Sequence, residues 1–147
     1  MVVVVPDASV ILKWALPGEG DADRALALRD AIRDEQLRGV VPSLWLYEVA
    51  NTIARRFPAE ASQWLAALVN FGLEEAPVSE SWLNNALALT QRYGVTFYEA
   101  AYHATAVIFR GIFVTADRHY VDLTSREGAV ILLSDWTPPR PSSRRRR

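Results

Sequence analysis

Four carboxylates stand where a folded chain can bring them together: Asp7 in VVVVPDAS, Glu48 in LWLYEVAN, Glu99 in VTFYEAAY and Asp117 in FVTADR. Asp7 and Asp117 follow apolar, strand-like runs, whereas Glu48 and Glu99 lie in helix-like segments. If the strands belong to one open parallel sheet, these acids collect at its carboxyl end. Several like charges gathered there make sense mainly around a divalent cation, because such ions take hard oxygen ligands. Close carboxylates raise one another's pKa and repel until a cation is bound. The chemistry implied is metal-dependent hydrolysis by a positioned water.

The elements that must position them alternate along the chain. VVVVP is predicted as the first strand, Ser9 to Leu16 as a short helix, and Asp21 to Leu37 as an amphipathic helix after the turn-like PGEG. GVVP reads as a second strand, with the proline stopping it and Ser43 capping a helix from about Leu44 to Phe57. Pro58 breaks that helix, another covers Ala59 to Phe71, and EEAPV is a short third strand. A helix capped by Ser79 or Ser81 ends at Gly94, and the next begins after Thr96 and runs to about Arg110. GIFVT and AVILLS complete five strands separated by helices. Parallel strands need helical crossovers and are apolar on both faces, so the expected fold is a three-layer α/β/α domain with a central, mostly parallel five-stranded sheet.

On the helix around Glu48, the stripe Leu46, Val49, Ala50, Ile53 and Phe57 is expected to face the core. Glu48, Asn51, Thr52 and Arg55 share another face. Each acid also has a purely structural reading. Asp7 can cap the helix opening at Ala8, Asp117 can stabilise a turn, and a polar helix face can simply be solvated. For Glu99 the alternative is specific, because Thr96 to Glu99 fits the S/T-x-x-E capping box. His103 falls one turn from Glu99, and a lone helix histidine more often packs than catalyses; His119 reads as a loop residue.

Composition narrows the class. With 147 residues, half of them hydrophobic and none of them cysteine, the chain is long enough for one cored domain and cannot use disulfides. No apolar run approaches a membrane span or a signal segment, so the expectation is a cytoplasmic protein with no membrane partner. Up to Pro139 there are 11 basic against 17 acidic side chains, a net charge of -6. The body is therefore acidic. The stretch 138–147, PPRPSSRRRR, has nothing apolar to bury and is expected to be a disordered tail beyond a domain spanning 1–137. A run of like charges this short is most often a solvated end, its functional alternative being a nonspecific electrostatic hold on nucleic acid; if the acidic pocket takes a phosphate-bearing substrate, Arg55, Arg118 and the tail are the candidates for holding it.

The segments DASVILKW, YEVANTIARR, RYGVTFYEAAYHATA and VTADRHY, in this order and spacing up to about Trp136, resemble the PIN-domain nucleases and among them the VapC-type toxins of VapBC toxin–antitoxin modules. The resemblance implies a Mg²⁺- or Mn²⁺-dependent endoribonuclease. Asp7, Glu48 and Asp117 match acidic, metal-holding positions of the family. Glu99 stands where the family usually has Asp, as in YDAAY; the charge is kept and a methylene is added. Ser9 and Thr115 match hydroxyls that support the neighbouring aspartates, and Asn51 matches a polar position facing the site. A homodimer is implied too, neutralised by a VapB-type antitoxin whose C-terminal segment lies in a groove leading to the acids. Trp14, Trp45, Trp64 and Trp82 suit either that interface or the core.

Other classes fit less well. A phosphoacceptor receiver needs a strand-end lysine, and the only lysine is Lys13 on the first helix. A haloacid-dehalogenase phosphatase wants an Asp two residues after the first, where this chain has Ser9. A closer rival is a catalytically impaired PIN-like binding protein in which Glu99 acts only as a cap.

Overall fold

The computed structural model describes residues 1–140 except 17 and 19. Five strands, β1 (Val2–Pro6), β2 (Leu37–Pro42), β3 (Glu74–Ala76), β4 (Ile112–Thr115) and β5 (Val130–Leu132), form one sheet in the order β3-β2-β1-β4-β5. Every pairing is parallel, with Val4 opposite Gly39 on one side and Ile112 on the other. The helices are α1 (Ala8–Ala15), α2 (Ala22–Arg33), α3 (Leu44–Arg56), α4 (Ala61–Phe71), α5 (Glu80–Tyr93), α6 (Phe97–Ile108) and α7 (Arg118–Thr124). This is the expected three-layer architecture. Of the expected tail, residues 141–147 lie outside the described residues.

Alternation along the strands builds the layers. Val3 and Val5 of β1, with Phe113 of β4, pack into a core against α3 and α6, while Val4 and Val114 turn to the opposite face against Ala25, Leu28 and Ala31 of α2. Trp82, Ala86 and Leu89 of α5 then cover α6 through Ala100, Ala101 and Ala104. Small residues on α6 let the two helices approach closely, and residues 100–106 are all buried.

The sheet runs outward in both directions from β1. Chain order proceeds β1, β2, β3 one way and β4, β5 the other, so the crevice between β1 and β4 is a topological switch point. Open α/β sheets bind ligands there, outside the carboxyl ends of the strands. Asp7 follows β1 directly and Asp117 lies two residues past β4.

Several expected boundaries move. The second helix stops at Arg33, not Leu37, because Glu35 takes a left-handed φ of 58° and Leu37 already opens β2. Ser43 precedes α3 but makes no side-chain cap hydrogen bond. The buried face of α3 is Trp45, Val49 and Ile53; Leu46, Ala50 and Phe57 are only half-buried. Asp117 does more than stabilise a turn, since it caps α7, a helix that the short RHYVDLT segment hides.

Gly111 joins α6 to β4 under the edge of β1. A Cβ there would lie 2.5 Å from the Val3 carbonyl oxygen and 2.8 Å from the Val3 Cβ. Backbone cannot swing aside as a side chain can. Gly111→Ala is therefore expected to lower stability by roughly 1–3 kcal/mol, measured by urea denaturation.

Candidate active site

Asp7 is both a helix cap and the best-supported acid of the cavity. Its Oδ1 accepts the Ala8 amide at 2.9 Å. Its Oδ2 accepts two hydroxyls, Ser9 at 2.7 Å and Thr115 at 2.9 Å. The same hydroxyls brace the loop after β4: Thr115 Oγ1 accepts the Asp117 amide at 3.1 Å, and Ser9 Oγ accepts the Ala116 amide at 3.3 Å. Asp117 Oδ1 accepts the Tyr120 amide at 3.1 Å, the N-cap bond of α7. The β1–α1 and β4–α7 junctions are thus tied together by side chains that belong to both.

Glu48 and Glu99 arrive from helices. Glu48 lies in the second turn of α3, and its Oε1 accepts the Tyr102 hydroxyl at 2.8 Å. Glu99 sits in the first turn of α6, which enters at the carboxyl end of the sheet because it runs antiparallel to the β4 strand it feeds. The Glu99 carboxylate accepts the Thr96 amide at 3.1 Å while the Thr96 hydroxyl accepts the Glu99 amide at 3.1 Å, a complete capping box.

All four acids wall one cavity of about 380 Å³, together with Ser9, Asn51, Thr52, Thr115, Phe113 and Tyr120. Among the described residues that wall it, none is basic. Arg55 and Arg118 are exposed and lie outside this wall. Burial pushes the Asp7 carboxyl above the ordinary carboxylate range; hydrogen bonds from Ser9, Thr115 and Ala8 oppose this, and the charge of Asp117 adds to it. Burial likewise raises Glu48 against its bond from Tyr102, with the charges of Asp7 and Glu99 adding. The acids sense one another across the cavity.

The donor set suits a divalent cation: carboxylate and hydroxyl oxygens, with no competing side-chain cation among the described residues of the wall. Among the described residues no three carboxylates or imidazoles are already drawn to a common ligating distance. Binding an ion there requires side-chain rotation, most of all from Glu99, which is turned back onto its own helix.

A family model matches most of the chain. The PIN domain model aligns with residues 4–124, a span that includes all four acids. The chain belongs to the PIN domain family. PIN domains are in general nucleases that depend on divalent metals. Comparison with curated proteins finds no sequence match. Similar solved structures include a toxin–antitoxin complex from Klebsiella pneumoniae, with 17% identity, a TM-score of 0.65, and coverage of 88% of this chain and 97% of that one. VapBC2 from Rickettsia felis bound to a promoter DNA fragment gives 12%, 0.65, 89% and 97%. FitAcB from Neisseria gonorrhoeae gives 13%, 0.68, 90% and 99%. At these identities the likeness is one of fold.

Sequence reasoning missed the aromatic side of this PIN cavity. Phe113 and Tyr120 line it and Tyr102 stands behind, with Tyr102 stacked on Phe113 at 5.8 Å and Tyr120 edge-on to Phe113 at 5.6 Å. The only sequence signal was the spacing of Tyr102, three residues after Glu99. His103 is fully buried beside them, and His119 is exposed. Trp45 and Trp82 belong to the core; Trp14 and Trp64 are half-buried around a second cavity of about 530 Å³.

Proposed function

We propose that this PIN-domain chain is a divalent-metal-dependent endoribonuclease and the toxin of a type II toxin–antitoxin pair. The observation that carries the reading is one cavity at the sheet's switch point walled by Asp7, Glu48, Glu99 and Asp117, with no basic residue among the described residues that line it. Asp7, Glu48 and Asp117 would hold Mg²⁺ or Mn²⁺, with Glu99 joining as a direct or water-bridged donor. A bound divalent cation supplies a Lewis acid for the phosphoryl oxygen and makes water a better nucleophile. The chain's own groups do the rest. Ser9 and Thr115 fix Asp7, and Tyr102 fixes Glu48. Asn51 lines the cavity, and Arg55, one turn further along α3, and Arg118, next to Asp117 in the chain, would hold RNA phosphates.

Partners follow from apolar surface. A cavity of about 510 Å³ between α3 and α4, walled by Leu46, Tyr47, Ala50, Leu65 and Val69, adjoins the helix carrying Glu48 and suits a VapB-type antitoxin segment. Leu83 and Leu87, one turn apart and exposed on α5, suit a homodimer contact. No helix among the described residues is long and apolar enough to cross a membrane, in keeping with work in the cytoplasm.

One observation favours the rival reading, a PIN-like binding protein with impaired catalysis: the Glu99 carboxylate is occupied in the capping box. Incubation with total cellular RNA separates the two. Cleavage is expected with Mg²⁺ or Mn²⁺, none with chelator, and restoration when the metal is returned. Cleavage that persists in chelator would refute metal dependence, and no cleavage under any condition would favour the binding protein.

A further inference from the structure

We propose that α6 serves the acid site through two adjacent buried residues, Tyr102 and His103, which act as positioning residues: Tyr102 grips Glu48 and His103 grips the helix turn capped by Asp117. The inference rests on the nuclease reading above and assigns these two side chains the task of setting the separation of acids contributed by different elements.

Neighbouring residues on a helix point about 100° apart, so one helix can reach two sides of a cavity at a single level. Tyr102 reaches toward α3. Its hydroxyl donates to Glu48 Oε1 at 2.8 Å, and its ring is pinned by stacking on Phe113. A carboxylate oxygen can only accept, so the phenol is the donor of this bond. A carboxylate on a helix otherwise has several rotamers, and this bond selects one.

His103 reaches the other way. Its Nε2 lies 2.8 Å from the Gly128 carbonyl oxygen, which can only accept, so Nε2 carries the proton. Its Nδ1 then accepts the Tyr120 hydroxyl at 2.8 Å, and burial lowers the imidazole's pKa, keeping it neutral. Tyr120 is thereby held from both ends: its hydroxyl by α6, its amide by Asp117 Oδ1 at 3.1 Å. Because α7 spans only seven residues, its first turn has little helix to hold it in place. An anchored Tyr120 ring fixes that turn, and with it the Asp117 carboxylate.

Partners that orient metal-holding groups typically change metal affinity by 10- to 100-fold when removed. The test is titration with Mn²⁺, following free Mn²⁺ by electron paramagnetic resonance, combined with amide hydrogen exchange across α7. Tyr102→Phe keeps the ring stack and removes one hydroxyl. It is expected to weaken Mn²⁺ binding about 10-fold with a near-parental melting temperature. His103→Leu is expected to weaken Mn²⁺ binding and speed exchange at Tyr120 and Val121. His103→Asn places an amide oxygen near the position of Nδ1, can accept the Tyr120 hydroxyl, and should recover most of both losses. Parental Mn²⁺ affinity in Tyr102→Phe and His103→Leu would overturn the positioning role alone, as would a loss that follows melting temperature and is not recovered by His103→Asn. A parent protein that binds no Mn²⁺ would overturn the metal-dependent reading itself and the positioning role with it.

Discussion

Asp7→Asn is expected to abolish metal-dependent RNA cleavage, down to the level seen with chelator, while leaving the metal-free protein at least as stable as the parent. Both halves come from the same geometry. Asparagine still offers an oxygen to the Ala8 amide, so the cap of α1 survives, and the Ser9 and Thr115 hydroxyls can turn to accept from the new amide nitrogen. What disappears is a charge held in a partly buried place opposite Asp117. Burial raises the Asp7 pKa above its ordinary 3.8, with the Asp117 charge adding, so the native state holds this proton more tightly than the unfolded chain does.

The sign of the pH effect follows from that difference. Below the unfolded value both states are protonated and Asp7 costs nothing. As pH rises through the window above 3.8, the unfolded state releases its proton first and the metal-free protein loses stability. The loss is complete once pH passes the raised native value. Glu48, raised from 4.5, works in the same direction. Melting curves of metal-free protein from about pH 4 to neutrality should therefore fall more steeply for the parent than for Asp7→Asn. Saturating Mg²⁺ should raise the parent's melting temperature more than the variant's, because binding to the native state alone stabilises it. A variant that melts well below the parent in the absence of metal would show that Asp7 is held for its cap, not for its charge.

The architecture was legible in the chain because its signals are local. VVVVP, GVVP and GIFVT are too short and too apolar to be anything but buried strands, and the helices between them force parallel pairing. That in turn carries Asp7 and Asp117 to one edge. Glu99 was legible twice over, as an acid in a family-like segment and as the fourth residue of a capping box, and the carboxylate does line the cavity while closing that box. What stayed hidden depends on contacts distant in sequence. Tyr102 meets Glu48 across 54 residues, and His103 meets Gly128 across 25. A histidine amid alanines reads as packing because nothing local distinguishes a buried polar bridge from a space-filler. The end of α2 was misjudged for a related reason, since helical periodicity runs smoothly through Leu37 while the left-handed turn at Glu35 has no glycine to mark it.

Glu99 offers the sharpest contrast between a structural and a chemical role, because its two tasks need different properties of one side chain. The capping box needs an oxygen that reaches the Thr96 amide; a metal site needs charge. Glu99→Gln supplies the first without the second. It is expected to keep the parental melting temperature and to lose about 10- to 100-fold in cleavage, the range seen when a group beside a metal is altered. The charge already reaches the site, since it contributes to the raised pKa of Glu48 from its capping position. Thr96→Ala is the complementary change: it removes the hydroxyl that caps the Glu99 amide, should cost about 1 kcal/mol of stability, and keeps the backbone amide at position 96 on which the carboxylate rests. Its activity per folded molecule should hold. Glu99→Asp shortens the arm, weakens the reach to the Thr96 amide and restores the acid usual in the family; cleavage is expected to be retained or increased. If Glu99→Gln cleaves like the parent while Thr96→Ala only destabilises, then Glu99 is a cap and the site works with three acids. If Glu99→Asp is inactive, the cavity is built around the longer side chain, and its extra methylene is the feature that distinguishes this PIN domain's chemistry.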